Sequence, residues 1–152
     1  MEPLRNFVIA AALAALLGGS ASAADNPQLG NPASDVMPPV ELTITLQDGK
    51  PVCAPGDLRL PANTNVVLQV VSQANVPVTI TAEGQFEQGH LLHADGDLVH
   101  VMSEKGYTVK ANGRGTLKLR TLDAGEHSYA CTANNKRDAP FVGKMVLSPP
   151  AG

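Results

Sequence analysis

Residues Leu122–Cys131 (LDAGEHSYAC) and, after nine intervening residues, Phe141–Ser148 (FVGKMVLS) decide how this chain folds. Asp123-Ala124-Gly125 is a turn triplet, and the residues after it alternate. His127, Tyr129 and Cys131 share one face of an extended segment, while Glu126, Ser128 and Ala130 share the other. Phe141–Ser148 supplies a last strand before a Pro-Pro tail. The spacing predicts two adjacent strands joined by Thr132–Pro140 (TANNKRDAP), which contains no apolar run.

The same two-residue period recurs upstream. In Val40–Gln47 (VELTITLQ), Val40, Leu42, Ile44 and Leu46 point one way and Glu41, Thr43, Thr45 and Gln47 the other, so this is a half-buried strand. Asp48-Gly49 is a turn pair, followed by a short extended piece around Leu58–Leu60 and a turn at Pro61–Thr64. Val66–Val71 is a nearly continuous β-branched run and reads as a central strand. Pro77–Thr81 alternates again, with Val78 and Ile80 inward, and Gly115–Leu122 places Leu117 and Leu119 in and Lys118 and Arg120 out. Glu83–Gly106 has no clear period and holds three of the four histidines; it reads as a long connection, with a short strand within Asp97–Met102. Seven or eight strands at about ten-residue spacing, with no helix and no repeat, predict an all-β chain forming a single Greek-key β-sandwich.

The 152 residues do not all enter that fold. Met1–Asn6 carries an Arg, Phe7–Leu17 is an unbroken apolar run and Gly18–Ala23 is small and polar. This is the order of a secretory signal, with Ala21-Ser22-Ala23 as its cleavage site. Eleven apolar residues are too few to cross about 30 Å of hydrocarbon. The expected organisation is therefore a signal peptide over 1–23, a Pro-rich flexible leader over 24–39 and one domain over 40–149. The expected location is the periplasm, reached through cleavage of the signal. A net charge of −3, no Trp, three Phe and two Tyr argue against nucleic acid, which needs basic grooves and stacking platforms.

Export changes how the two cysteines read. In an oxidising compartment Cys53 and Cys131 are the minimum for one disulfide, and the bridge is worth about 4 kcal/mol in the chain-entropy model. The competing readings are a pair of soft thiolates gathered for a metal and two free core thiols.

The order of these pieces resembles a cupredoxin. The carrying residues are Ala54-Pro55-Gly56-Asp57-Leu58-Arg59-Leu60-Pro61-Ala62-Asn63-Thr64, then Gly125-Glu126-His127-Ser128-Tyr129-Ala130-Cys131, then Phe141-Val142-Gly143-Lys144. The resemblance covers about residues 40–148. It implies a cupredoxin-like sandwich with Cys131 in the position of the copper thiolate. The remaining type 1 ligands are mostly lost: Val78 stands where the first imidazole belongs, Thr132–Pro140 holds no histidine, and Phe141 replaces the axial Met. A closer resemblance is to the cupredoxin-like domain of EfeO-type periplasmic iron-uptake proteins, through Asp48-Gly49-Lys50, Pro55–Thr64 and Leu122–Glu126. Some of those domains carry a cysteine pair like Cys53 and Cys131, which the topology would bring together at one end of the sandwich.

The candidate metal ligands are thus Cys53, Cys131, His90, His93 and His100. The histidines lie in Gly89–Met102 (GHLLHADGDLVHVM), with Asp95, Asp97 and Met102 nearby. Imidazole, carboxylate and thioether within so short a stretch could hold copper or iron; solvated loop residues are the plainer reading. His127 reads as packing, and Lys136, Arg137 and Asp138 as a solvated turn with a docking role as the alternative. The sequence carries no Ser/His/Asp set, paired acids, phosphate loop or zinc spacing. The function expected from these residues and the resemblance is a non-enzymatic metal-handling accessory for iron or copper, without a blue-copper site. Its expected partners are the metal ion and an inner-membrane permease or another periplasmic uptake protein. The alternatives are a disulfide-stapled interaction module without metal and a redox or ferroxidase-type subunit of a metal transport system.

Overall fold

The computed structural model describes residues 38–149 apart from Gln88. The expected signal peptide and nearly all of the leader, residues 1–37, lie outside the described residues. Among the described residues no helix is long and apolar enough to cross a membrane.

Eleven strands are present among the described residues: β1 (Val40–Gln47), β2 (Lys50–Ala54), β3 (Asp57–Pro61), β4 (Asn65–Ser72), β5 (Val78–Thr81), β6 (Leu91–Gly96), β7 (Leu98–Val101), β8 (Gly106–Val109), β9 (Arg114–Arg120), β10 (Gly125–Ala133) and β11 (Lys136–Ser148). They form a five-stranded sheet in the order β2-β1-β4-β9-β6 and a six-stranded sheet in the order β3-β11-β10-β5-β8-β7. Both sheets are mixed, because β1 runs parallel to β4 and β3 parallel to β11. The all-β sandwich expected from the period holds, with more strands than the expected seven or eight.

The alternating segments fold as their period dictates. Leu42 and Ile44 of β1, Val66, Leu68 and Val70 of β4, and Leu117 and Leu119 of β9 line the inner face of the first sheet. Val78, Ile80, Tyr129, Cys131, Met145 and Leu147 face them from the second. Each fully buried aliphatic side chain of this layer contributes about 1.5–3 kcal/mol relative to an exposed one.

Three places depart from the sequence reading. Asp48 and Gly49 have φ of 54° and 79°, and Gln47 pairs directly with Lys50. The turn pair thus closes a two-residue hairpin whose return strand, β2, alternation alone did not show. The stretch 83–106, expected as a long connection with a short strand within Asp97–Met102, holds that strand as β7 and also β6 and a 3₁₀ turn at Met102–Glu104. Both strands are sheet edges with largely exposed side chains, so no inward period marks them. The stretch 132–140, expected as a loop, is a tight turn at Asn134-Asn135 followed directly by β11. Lys136 pairs with Ala133 and Phe141 with Cys131, so Arg137–Pro140 bulge opposite Thr132 alone.

Two polar ties close the ends of the sandwich. Thr121, fully buried just after β9, donates to the Pro61 carbonyl at 2.7 Å and accepts the Thr64 N–H at 2.9 Å. This joins the β3–β4 corner, where the chain passes from the second sheet to the first, to the end of β9 in the first. Buried Thr79 on β5 donates to Asn134 Oδ1 at 2.9 Å, which makes Thr108 the donor in the 2.6 Å contact between the two threonine hydroxyls.

Candidate functional site

Cys53 sits on β2, the edge strand of the first sheet, where it pairs with Ile44. Cys131 sits on β10, inside the second sheet, between Ile80 and Phe141. Both point into the core, where they are 1% and 0% exposed, and their Cα atoms are 6.7 Å apart. They form a disulfide, which staples one sheet to the other across 78 sequence positions. Of the readings left open by the sequence, the structure selects this one.

The neighbours of Cys131 offer no metal ligand. Val78 is fully buried, two residues from Ile80, the partner of Cys131 on β5. Phe141, opposite Cys131 on β11, is half-buried with its ring 6.2 Å from that of Tyr129. A type 1 copper centre needs two imidazoles and a free thiolate in one plane. Here the sulfur is already bonded to sulfur and the flanking side chains are hydrocarbon. The residues present do not fit that centre.

Tyr129 is built into the same pole. Its hydroxyl donates to the Pro55 carbonyl at 2.7 Å, and its ring lies against Gly143, where a Cβ would come within 2.5 Å of Tyr129 Cε1. Burial, and secondarily the negative charge of Asp57, push the phenol up to about 12. Between the β1–β2 hairpin and the β11 bulge lies an open cleft of about 540 Å³, lined by Asp48, Lys50, Asp138 and Phe141 among others.

The expected histidines do not converge. His90 precedes β6 and sets Nδ1 3.0 Å from the Arg120 carbonyl. His93, on β6, places Nε2 3.4 Å from Asp95 Oδ2. His100 is on β7, at the outer edge of the other sheet, and stacks on Tyr107 with ring centroids 4.9 Å apart. Among the described residues no group of three or more His, Cys, Asp or Glu side chains is placed to hold a metal ion. His127 lies half-buried at the start of β10, where Nε2 is 2.9 Å from the Asp123 carbonyl and fastens the turn. Arg137, in the β11 bulge, pairs with Glu104 at 2.8 Å rather than standing free in solvent. The sequence reading missed Gln85, which is fully buried and donates from Nε2 to the carbonyls of His90 and Arg120. No pattern in the sequence marks that role, which depends on where two distant backbone segments meet.

No family model matches the chain, and no curated protein matches it in sequence. Solved structures do match. The laccase-like multicopper oxidase CueO from Ochrobactrum sp. aligns with a TM-score of 0.56 at 11% identity, over 78% of this chain and 33% of that one. The fold is cupredoxin-like. The copper-containing nitrite reductase from Thermus scotoductus (TM-score 0.53, 8% identity, 75% of this chain and 31% of that one) shares it. So does Fet3p, a multicopper oxidase that functions in iron import (0.52, 10%, 78% and 29%). The chain spans about a third of the length of these three proteins. Cys131 lies two residues before the end of β10, at the pole where the sequence resemblance expects a copper thiolate. Here that pole is closed by a disulfide.

Proposed function

We propose that the protein is a non-enzymatic accessory in copper or iron handling, exported to the periplasm, whose cupredoxin-like domain has no blue-copper centre. The observation that carries this reading is the spending of both cysteine sulfurs on one buried bond at the thiolate position. With Val78 and Phe141 beside it, the pole has no means of cycling an electron through copper. What remains is a rigid two-sheet scaffold in a fold otherwise found in copper proteins, one of them named for iron import. The resemblance of Asp48-Gly49-Lys50, Pro55–Thr64 and Leu122–Glu126 to EfeO-type domains favours metal uptake over electron transfer. The partner in this reading is an inner-membrane permease or a second periplasmic uptake protein, and the metal is cargo rather than cofactor.

The test is cellular. A strain lacking this protein should hold less copper or less iron than its parent when the metal is scarce, and expression of the full chain should restore it. Unchanged content of both metals would overturn the proposal. That result would favour the second reading supported by the buried staple, an interaction module that takes no metal.

A further inference from the structure

The four imidazoles of the chain are not equivalent. His90, His93 and His127 each face an oxygen: the Arg120 carbonyl, the Asp95 carboxylate and the Asp123 carbonyl respectively. His100 differs. Among the described residues no hydrogen bond or ion pair engages its ring nitrogens.

What holds His100 is an aromatic platform. Its ring lies 4.9 Å from that of Tyr107, its partner across the β7–β8 pairing, at an interplanar angle of 26°. Tyr107 is in turn buried and braced by Phe86, whose ring meets it edge-on at 5.8 Å. The imidazole plane is therefore fixed while both nitrogens stay available. Two positions further on, Met102 is 79% exposed, so its thioether is open to solvent. His100 and Met102 line one open pocket of about 230 Å³ together with Phe86, Glu87 and Lys105.

We propose that His100 and Met102 form a surface site for monovalent copper. An oriented imidazole and a mobile thioether are the donor types that suit this soft, low-coordinate ion. A hard divalent or trivalent ion would need several oxygen ligands. The pocket lining supplies one carboxylate, Glu87, and that lies 3.8 Å from the ammonium of Lys105. The site therefore discriminates for copper and against iron. It deepens the metal-handling proposal by naming a cargo and a place for it, but binding can be measured apart from any cellular role.

The experiment is a titration of the full, disulfide-intact chain with Ag(I), a redox-inert stand-in for Cu(I) that needs no reductant to hold its oxidation state. Wild-type protein should take up one equivalent. His100→Phe keeps the stack on Tyr107 and deletes both nitrogens, and Met102→Leu deletes the sulfur from an exposed side chain. Each should weaken binding about tenfold or more. His90→Gln and His93→Gln should leave it within about twofold of wild type. No uptake by the wild type, undiminished binding by Met102→Leu, or a larger loss in His93→Gln would overturn the site. A normal cellular metal phenotype in a strain carrying His100→Phe and Met102→Leu would leave the accessory role standing while removing this pocket from it.

Discussion

The hydroxyl of Tyr129 donates a 2.7 Å hydrogen bond to the carbonyl of Pro55, 74 positions earlier in the chain. This one contact fastens the β2–β3 connection onto β10, beside the disulfide that fastens β2 itself. Burial of the ring, and secondarily the negative charge of Asp57, hold the group neutral. Its proton leaves only near pH 12, against about 10 in an unfolded chain. A pKa raised in the folded state means the fold gains from the protonated form. That gain is complete below pH 10 and is lost as pH climbs from 10 towards 12. Thermal melts of Tyr129→Phe and wild type should show the wild type losing stability more steeply across that window. Removing the hydroxyl should also cost about 1–2 kcal/mol at neutral pH, since the Pro55 carbonyl loses its partner. Parallel pH profiles for the two proteins would contradict the assignment.

Gly143 is the residue that lets Tyr129 reach that position. A methyl group there would meet Tyr129 Cε1 at 2.5 Å and the Gly56 carbonyl at 2.6 Å, and neither can retreat without breaking the Tyr129–Pro55 bond or the Lys144 N–H to Gly56 bond of 2.8 Å. Gly143→Ala should therefore destabilise by about 2 kcal/mol or more through overpacking. Chemical denaturation read by circular dichroism measures this, and a change below about 0.5 kcal/mol would show that the pole is looser than described.

The Cys53–Cys131 bridge should account for a large share of the stability. Protein purified without reductant should have no titratable thiol even after unfolding, because the described cysteines are bonded to each other. The paired Cys53→Ala, Cys131→Ala variant should lose about 2–5 kcal/mol. One or more free thiols per chain in the unfolded wild type would refute the staple.

Copper added as the divalent ion should produce no intense blue absorption, in oxidised or in reduced protein. Reduction frees Cys131 but leaves Val78 and Phe141, which have no donor atom, beside it. A strong thiolate-to-copper charge-transfer band would mean that two imidazoles reach Cys131, which the separate positions of His93 and His100 on edge strands of different sheets oppose.

Much of the fold was legible because the period-two pattern reports which face of a strand is dry. β1, β9 and the ends of β10 and β11 carry that signal cleanly, since Leu42, Ile44, Leu117 and Leu119 alternate with charged or hydroxylated neighbours, and β4 shows instead as a continuous apolar run. β2 was missed although its cue, the Asp48-Gly49 turn, was noticed: a turn of that type commits the next residues to run back along the first strand. β7 was expected as a short strand within Asp97–Met102, whereas β6 was missed for a physical reason. An edge strand is stabilised by hydrogen bonds to one neighbour and buries little, so its composition need not alternate. The pairing of the cysteines was open in the sequence because proximity alone serves a disulfide and a soft metal equally well. The histidines misled because nearness along the chain is not nearness in space: β6 and β7 follow each other through Asp97 but join different sheets.

The bridge also divides the chain mechanically. The 78-position span between Cys53 and Cys131 is a covalent ring, and of the described residues 38–52 and 132–149 lie outside it. Pulled by its two ends, the oxidised domain can pay out about 35 residues, or roughly 120 Å of chain, whereas the reduced one would release about 380 Å. A tug along the backbone would thus peel away β1, most of β2 and β11, while β3 to β9 and most of β10, held within the loop, bear no load.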